Sequence, residues 1–149
     1  MRAVIQRVKH CKVTVDNKST GEIDSGILIF LGVGTEDKKE DADYLVDKII
    51  NLRIFEDEEG RMNLSALELY KEIMVVSQFT LFGDCRKGRR PGFFSAAPPD
   101  EAKKLYKYFL GRISEAELKI ASGEFQAMMN VELINDGPVT LLIDSKKKF

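Results

Sequence analysis

Two short segments carry the polar groups best placed to do chemistry. Ser77-Gln78-Phe79-Thr80-Leu81 ends a very apolar run, and Asn135-Asp136-Gly137-Pro138-Val139-Thr140 interrupts another. A hydroxyl or amide at the end of a buried strand is either paired in the core or lines a pocket. Thr80 or Ser77 could act as a nucleophile and form an acyl-enzyme, but a hydroxyl needs an adjacent base for that, and neither segment holds Lys or His. On composition alone the plainer reading of each segment is the stronger: a strand end with satisfied polar groups, and a turn.

His10 is the only histidine, and it falls in a charged connection between two strand candidates, which suits solvent exposure. A Ser-His-Asp or Cys-His arrangement would need it as base. Gly-x-Ser-x-Gly, a glycine-rich phosphate loop and His-Glu-x-x-His are all missing. Cys11 and Cys85 are far apart in sequence and read as free thiols in a reducing compartment, with a disulfide between them left open. One His and two scattered Cys do not make a transition-metal site, and no carboxylate-rich loop suits a hard cation. No metal or cofactor is expected.

The elements that must position these segments follow from periodicity. Ala3–Val8 and Lys12–Asp16 read as two strands, the second alternating Val13 and Val15 with polar neighbours. Asn17–Gly21 is turn chemistry. Ile27–Val33 is a continuous apolar run, as in a strand buried on both faces. Asp41–Leu52 reads as a helix with a stripe of Ala42, Leu45, Val46, Ile49, Ile50 and Leu52. Asp57–Gly60 is an exposed turn, and Ile73–Leu81 another strand. Pro98-Pro99-Asp100-Glu101 opens a second helix whose stripe is Ala102, Leu105, Tyr106, Phe109 and Ile113, with Gly111 marking where it weakens. Met128–Asn135 and Val139–Asp144 are two further strands. The Asp136-Gly137 pair between them invites a hairpin; Pro138 has no N–H for a ladder, so a specialised loop is the other reading. Strands outnumber helices and no Rossmann-type repeat exists. The expected fold is a single α+β domain over residues 1–149, with a barrel-like, mostly antiparallel or mixed sheet and two main helices.

The 149 residues, 44% hydrophobic and 32% charged, suit one globular core. The longest apolar run is too short to span a bilayer, and the N-terminal residues lack a signal-peptide pattern; no membrane role and a cytoplasmic location are expected. A net charge of −1 argues against coating nucleic acid by bulk electrostatics. It leaves room for local contact. Arg86, Lys87, Arg89 and Arg90 are interrupted by glycines and Pro91, and read as a shaped loop able to touch phosphate. The lysines at 146–148 read as solvated surface.

Together, Ser77-Gln78-Phe79-Thr80 and Asn135-Asp136-Gly137-Pro138-Val139-Thr140 resemble the paired signature motifs of D-aminoacyl-tRNA deacylases (D-tyrosyl-tRNA deacylases). Supporting matches run along the chain: Gln6-Arg7-Val8, Leu31-Gly32-Val33, Leu52-Arg53-Ile54-Phe55, Gly60-Arg61-Met62-Asn63, Arg90-Pro91 before Phe93, and Leu105-Tyr106 with Phe109. Gln126 stands where that family commonly has a small residue, and Gly92 where it commonly has Ser.

The resemblance implies a homodimer with active sites at the interface and a cis Gly137-Pro138 bond that enters the partner's pocket. Arg7 would hold that loop. Ser77, Gln78, Phe79 and Thr80 would form the facing wall, with backbone N–H groups for the substrate carbonyl. Phe125 and Met129 match positions near the terminal adenosine; Asn135, Val139 and Thr140 belong to the substrate side of the second motif. The substrate would be the ester of an amino acid with the terminal ribose of tRNA. Such an ester is activated, so a positioned water, oxyanion donors and a ribose hydroxyl suffice. Mirror-image substrates share their atoms, so discrimination needs a repulsive element. A Gly-Pro loop would collide with an L side chain, spare a D one, and let glycine through, giving post-synthetic editing. Two other readings use the same residues: a small-molecule esterase with Thr80 or Ser77 as nucleophile, and a non-catalytic tRNA-binding module using the Arg86–Arg90 loop.

Overall fold

The computed structural model describes residues 1–149. Strand β1 (Arg2–Val15) is its spine, and it pairs with three others. Its first half ladders antiparallel with β3 (Gly26–Gly32), and its second half with β2 (Lys18–Ile23). Along its other edge runs the 15-residue β8 (Asn130–Asp144), also antiparallel. Beyond β3 come β6 (Glu72–Ser77) and β7 (Ile120–Ser122), both in parallel pairings. β7 packs beside β2 without a ladder, so the mixed sheet curls into a nearly closed barrel. A small hairpin, β4 (Phe55–Glu56) and β5 (Met62–Leu64), lies outside it and contains the Asp57–Gly60 turn.

Helices α1 (Lys39–Ile50) and α2 (Pro99–Ser114) cover one face. Their apolar stripes are those the sequence shows: Ala42, Leu45, Val46, Ile49 and Ile50 on α1, and Ala102, Tyr106, Phe109 and Ile113 on α2. They meet Ala3, Ile5, Ile27, Ile29, Leu31, Ile73 and Val75 in the main core. The opposite face of the sheet fills the barrel with Val8, Cys11, Val13, Ile23, Leu28, Met74 and Val76. β3 is therefore buried on both faces, which explains its unbroken apolar run. Each such side chain is worth about 1.5–3 kcal/mol on burial.

Several expectations need correction. Ala3–Val8 and Lys12–Asp16 are one strand, not two, so His10 lies within β1, its Nε2 3.5 Å from a Glu22 carboxylate oxygen. The β1–β2 turn is tighter than Asn17–Gly21: Asp16 and Asn17 alone take positive φ (48° and 63°), the geometry of a two-residue hairpin turn. The strand after Ile73 stops at Ser77 and becomes a short 3-10 turn, Phe79–Phe82. Gly111 does not weaken α2, which runs on to Ser114. Asp136-Gly137-Pro138 makes no hairpin. The chain on either side pairs with the same strand in the same direction, Asn135 opposite Val8 and Thr140 opposite Gln6. The intervening residues, 136–139, bulge out opposite Arg7 alone. Both cysteines are free, Cys11 buried and Cys85 exposed.

Candidate active site

The end of β6 opens onto a largely apolar cavity of about 900 Å³. Ser77, Gln78, Phe79 and Thr80 form one wall; Phe125, Gln126, Ala127, Met128, Met129 and Val131 form another. The N-terminus of α2 contributes Pro98, Pro99, Ala102 and Tyr106. The size and character suit a nucleoside-sized ligand.

The turn after β6 sets the polar groups. Gln78 N–H is spent on Leu31 O at 2.8 Å, so it is not a free donor. Phe79 and Thr80 open the 3-10 turn, and their N–H groups have no backbone acceptor. They are two unspent backbone donors at this wall. Gln78 Nε2 donates to Thr80 Oγ1. No carboxylate, imidazole or amine lines the cavity. The lone ionisable group there is the Tyr106 phenol; burial pushes it up to about 12, and its hydroxyl donates to Val75 O at 2.9 Å. Tyr106 also packs against Phe125, ring centroids 5.5 Å apart.

The second motif lies elsewhere on the same chain. Gly137-Pro138 is cis, and Gly137 has φ +127°. A Cβ there would stand 2.8 Å from Val139 Cγ2 and 3.2 Å from the Arg7 guanidinium, so only glycine fits. Asn135 closes the loop from beneath, its Oδ1 accepting from Val139 N–H at 2.9 Å and its Nδ2 donating to Thr140 Oγ1 at 3.0 Å. Arg7 is buried; its Nε donates to Asp136 O at 3.1 Å and its Nη1 to Ile54 O at 2.6 Å. Arg7, Asn135, Gly137, Pro138, Val139 and Thr140 therefore form one clamped loop. None of them lines the cavity of their own chain.

A third feature adjoins the cavity. Asp84 and Gly92 exchange backbone hydrogen bonds of 2.7 and 2.9 Å and close the loop between them. Its residues Arg86, Lys87 and Arg90 border a second concavity of about 570 Å³; Arg89 does not. Arg86 is tied to Asp84 by bonds of 2.8 and 2.7 Å, and this pairing holds the Asp84 carboxyl well below the usual range. Lys87, Arg89 and Arg90 have no carboxylate partner within 4.0 Å. No group of three or more His, Cys, Asp or Glu is placed to hold a metal ion.

Phe93, Phe94 and Tyr106 also line the cavity, outside both motifs. In the sequence Tyr106 is one more member of an apolar helix stripe, and its hydroxyl is the signal that sets it apart. A buried phenol needs a partner, which brings the ring to the end of β6.

Residues 4–144 match the family described as D-Tyr-tRNA(Tyr) deacylase. Proteins named D-aminoacyl-tRNA deacylase from Thermosipho africanus, Halothermothrix orenii and Clostridioides difficile are 61%, 60% and 56% identical over 149 residues, covering all of both chains. Among solved structures, one titled c-Myc DNA Unwinding Element Binding Protein superposes with a TM-score of 0.91 at 40% identity, over 97% of this chain and 98% of that one. Another, described as a probable eukaryotic D-amino acid tRNA deacylase, gives 0.83 at 20% identity over 96% and 98%, a likeness of fold. With a family match and full-length relatives of this kind, the chain belongs to the D-aminoacyl-tRNA deacylases, a family of ester hydrolases.

Proposed function

We propose that this protein frees tRNA from D-amino acids and from misplaced glycine, working in the cytoplasm as a homodimer in which each cavity is completed by the partner's Gly137-Pro138 loop. The observation that carries the reading is the division of one chain into two incomplete halves. The cavity has backbone donors but nothing to test chirality; the clamped loop lines no part of that cavity. The free edge of β8, flanked by the exposed Ile134, Leu141 and Leu142, is open to pairing with a second copy.

Terminal adenosine occupies the apolar part of the cavity near Phe125 and Met129, and the ester carbonyl faces the N–H groups of Phe79 and Thr80. Water attacks the carbonyl carbon, and the oxyanion is held by those two donors. The carbon–oxygen ester bond breaks, the ribose oxygen takes up a proton, and free amino acid and tRNA leave. The ribose hydroxyl beside the ester orients the water, since the cavity has no side-chain base. The partner's loop, held by Arg7 and Asn135, meets an L side chain as a steric barrier and leaves room for a D side chain. Lys87, Arg89 and Arg90 bind backbone phosphate. The Thr80-nucleophile esterase lacks support from any base near the hydroxyl.

Parallel incubation with D-Tyr-tRNA, L-Tyr-tRNA and Gly-tRNA tests the proposal. Release of D-Tyr and Gly with L-Tyr retained is expected. Equal hydrolysis of the D and L esters, or binding of tRNA without hydrolysis, would overturn it.

A further inference from the structure

Phe94 is the one residue that lines both the apolar cavity and the basic concavity. Its side chain is 96% exposed, the most exposed large hydrophobic residue in the chain. Neighbouring Phe93 instead turns inward and meets Phe79 edge-on, centroids 5.1 Å apart. The Phe94 ring lies beside Gly92, where a Cβ would come within 3.2 Å of its Cε2. Gly92 is itself fixed by its two backbone bonds to Asp84. An aromatic face is thus displayed on a braced hairpin, between a hole of nucleoside size and three basic side chains.

An exposed phenyl ring is an apolar face that a planar ligand can cover favourably. Its position says which. A strand of RNA whose terminal nucleoside enters the apolar cavity, and whose phosphates meet Lys87 and Arg90, must pass Phe94 between the two. Bases stack on aromatic faces whatever their identity. We infer that Phe94 is a stacking platform for the base of the nucleotide immediately 5′ of the terminal one, so that the protein grips two nucleotides of the RNA end and not one. The inference rests on the tRNA reading above. It adds a specificity residue that neither signature motif contains.

The test compares two D-Tyr-tRNA substrates, one intact and one lacking only the base at the penultimate position. Wild-type protein hydrolyses the intact substrate with a lower KM. Phe94→Ala raises KM on the intact substrate about tenfold, the scale of one lost base–aromatic stack, and leaves kcat in place. On the abasic substrate Phe94→Ala matches wild type, because the partner of the ring is already gone. Phe94→Tyr restores KM on the intact substrate. Lys87→Ala weakens both substrates alike, since the phosphates are kept. An equal effect of Phe94→Ala on the two substrates, no effect on either, or conversion of a dimer to monomers overturns the inference. Failure of wild type to hydrolyse the intact ester would instead remove the tRNA reading beneath it.

Discussion

At the scale of single residues the question is what replaces a catalytic base. Thr80 is the hydroxyl nearest the proposed reaction, yet its oxygen already accepts from Gln78 Nε2, and no group that could take its proton lines the cavity. In the proposed mechanism it positions and does not attack. Thr80→Ala is expected to keep single-turnover hydrolysis of D-Tyr-tRNA within about fivefold of wild type, the scale of one neutral hydrogen bond. Loss of a nucleophile would cost on the order of a thousandfold or more. Rapid-quench measurement separates the two, and a collapse of the rate with folding and tRNA binding intact would restore Thr80 as nucleophile. In that mechanism the turn contributes its backbone, which the side-chain types of Ser77–Thr80 do not display. Gln78 illustrates the limit: its N–H looked as available as its neighbours', and only the pairing with Leu31 O removes it.

At the scale of elements, α1 is tied to the C-terminal tail. Burial works to raise the Asp41 carboxyl, but the Lys146 ammonium, the Ser145 hydroxyl and the Lys38 N–H outweigh it and hold the group down at about 2. Lys146 Nζ lies 2.8 Å from the Asp41 carboxylate. A carboxyl depressed in the folded state adds stability above its unfolded value near 3.8, and that stability fades as pH falls toward 2. Lys146 is partly exposed, so screening leaves about 1 kcal/mol of it. Lys146→Met should lower the stability measured by urea unfolding at pH 7 by about that amount, with the two proteins converging as the pH drops below 4. A difference that persists unchanged at pH 2.5 would show the loss to be packing. Both helices were legible because their stripes face one core. The long strands were not, for a definite reason. Ala3 and Ile5 face the helices, whereas Val8, Cys11 and Val13 face the barrel interior. The register against β8 slips between Val8 and His10, a bulge that flips the alternation. A reading based on strict period two sees two strands and a charged connection. β8 hides itself in the same way, by absorbing residues 136–139 in a bulge that looks like a turn.

At the scale of the whole molecule, the sheet leaves one problem unsolved. β8 is long, pairs only with β1, and presents a free edge beside Ile134 and Leu142, which are 57% and 63% exposed. Such an edge invites pairing with another chain unless charge or a cover prevents it. The loop that would test chirality belongs to this same strand, so covering the edge with a second copy answers both needs at once. Ile134→Lys combined with Leu142→Lys places charges along that edge without touching the loop, the cavity or the core. Sedimentation should find wild type dimeric and the double variant monomeric at micromolar concentration, with far-UV circular dichroism unchanged. D-Tyr-tRNA hydrolysis by the variant should then fall steeply on dilution and recover in part as protein concentration rises, because each site needs two chains. A monomer that still hydrolysed D-Tyr-tRNA at the wild-type rate, and still spared L-Tyr-tRNA, would mean that one chain contains the whole site and that residues 137 and 138 act some other way.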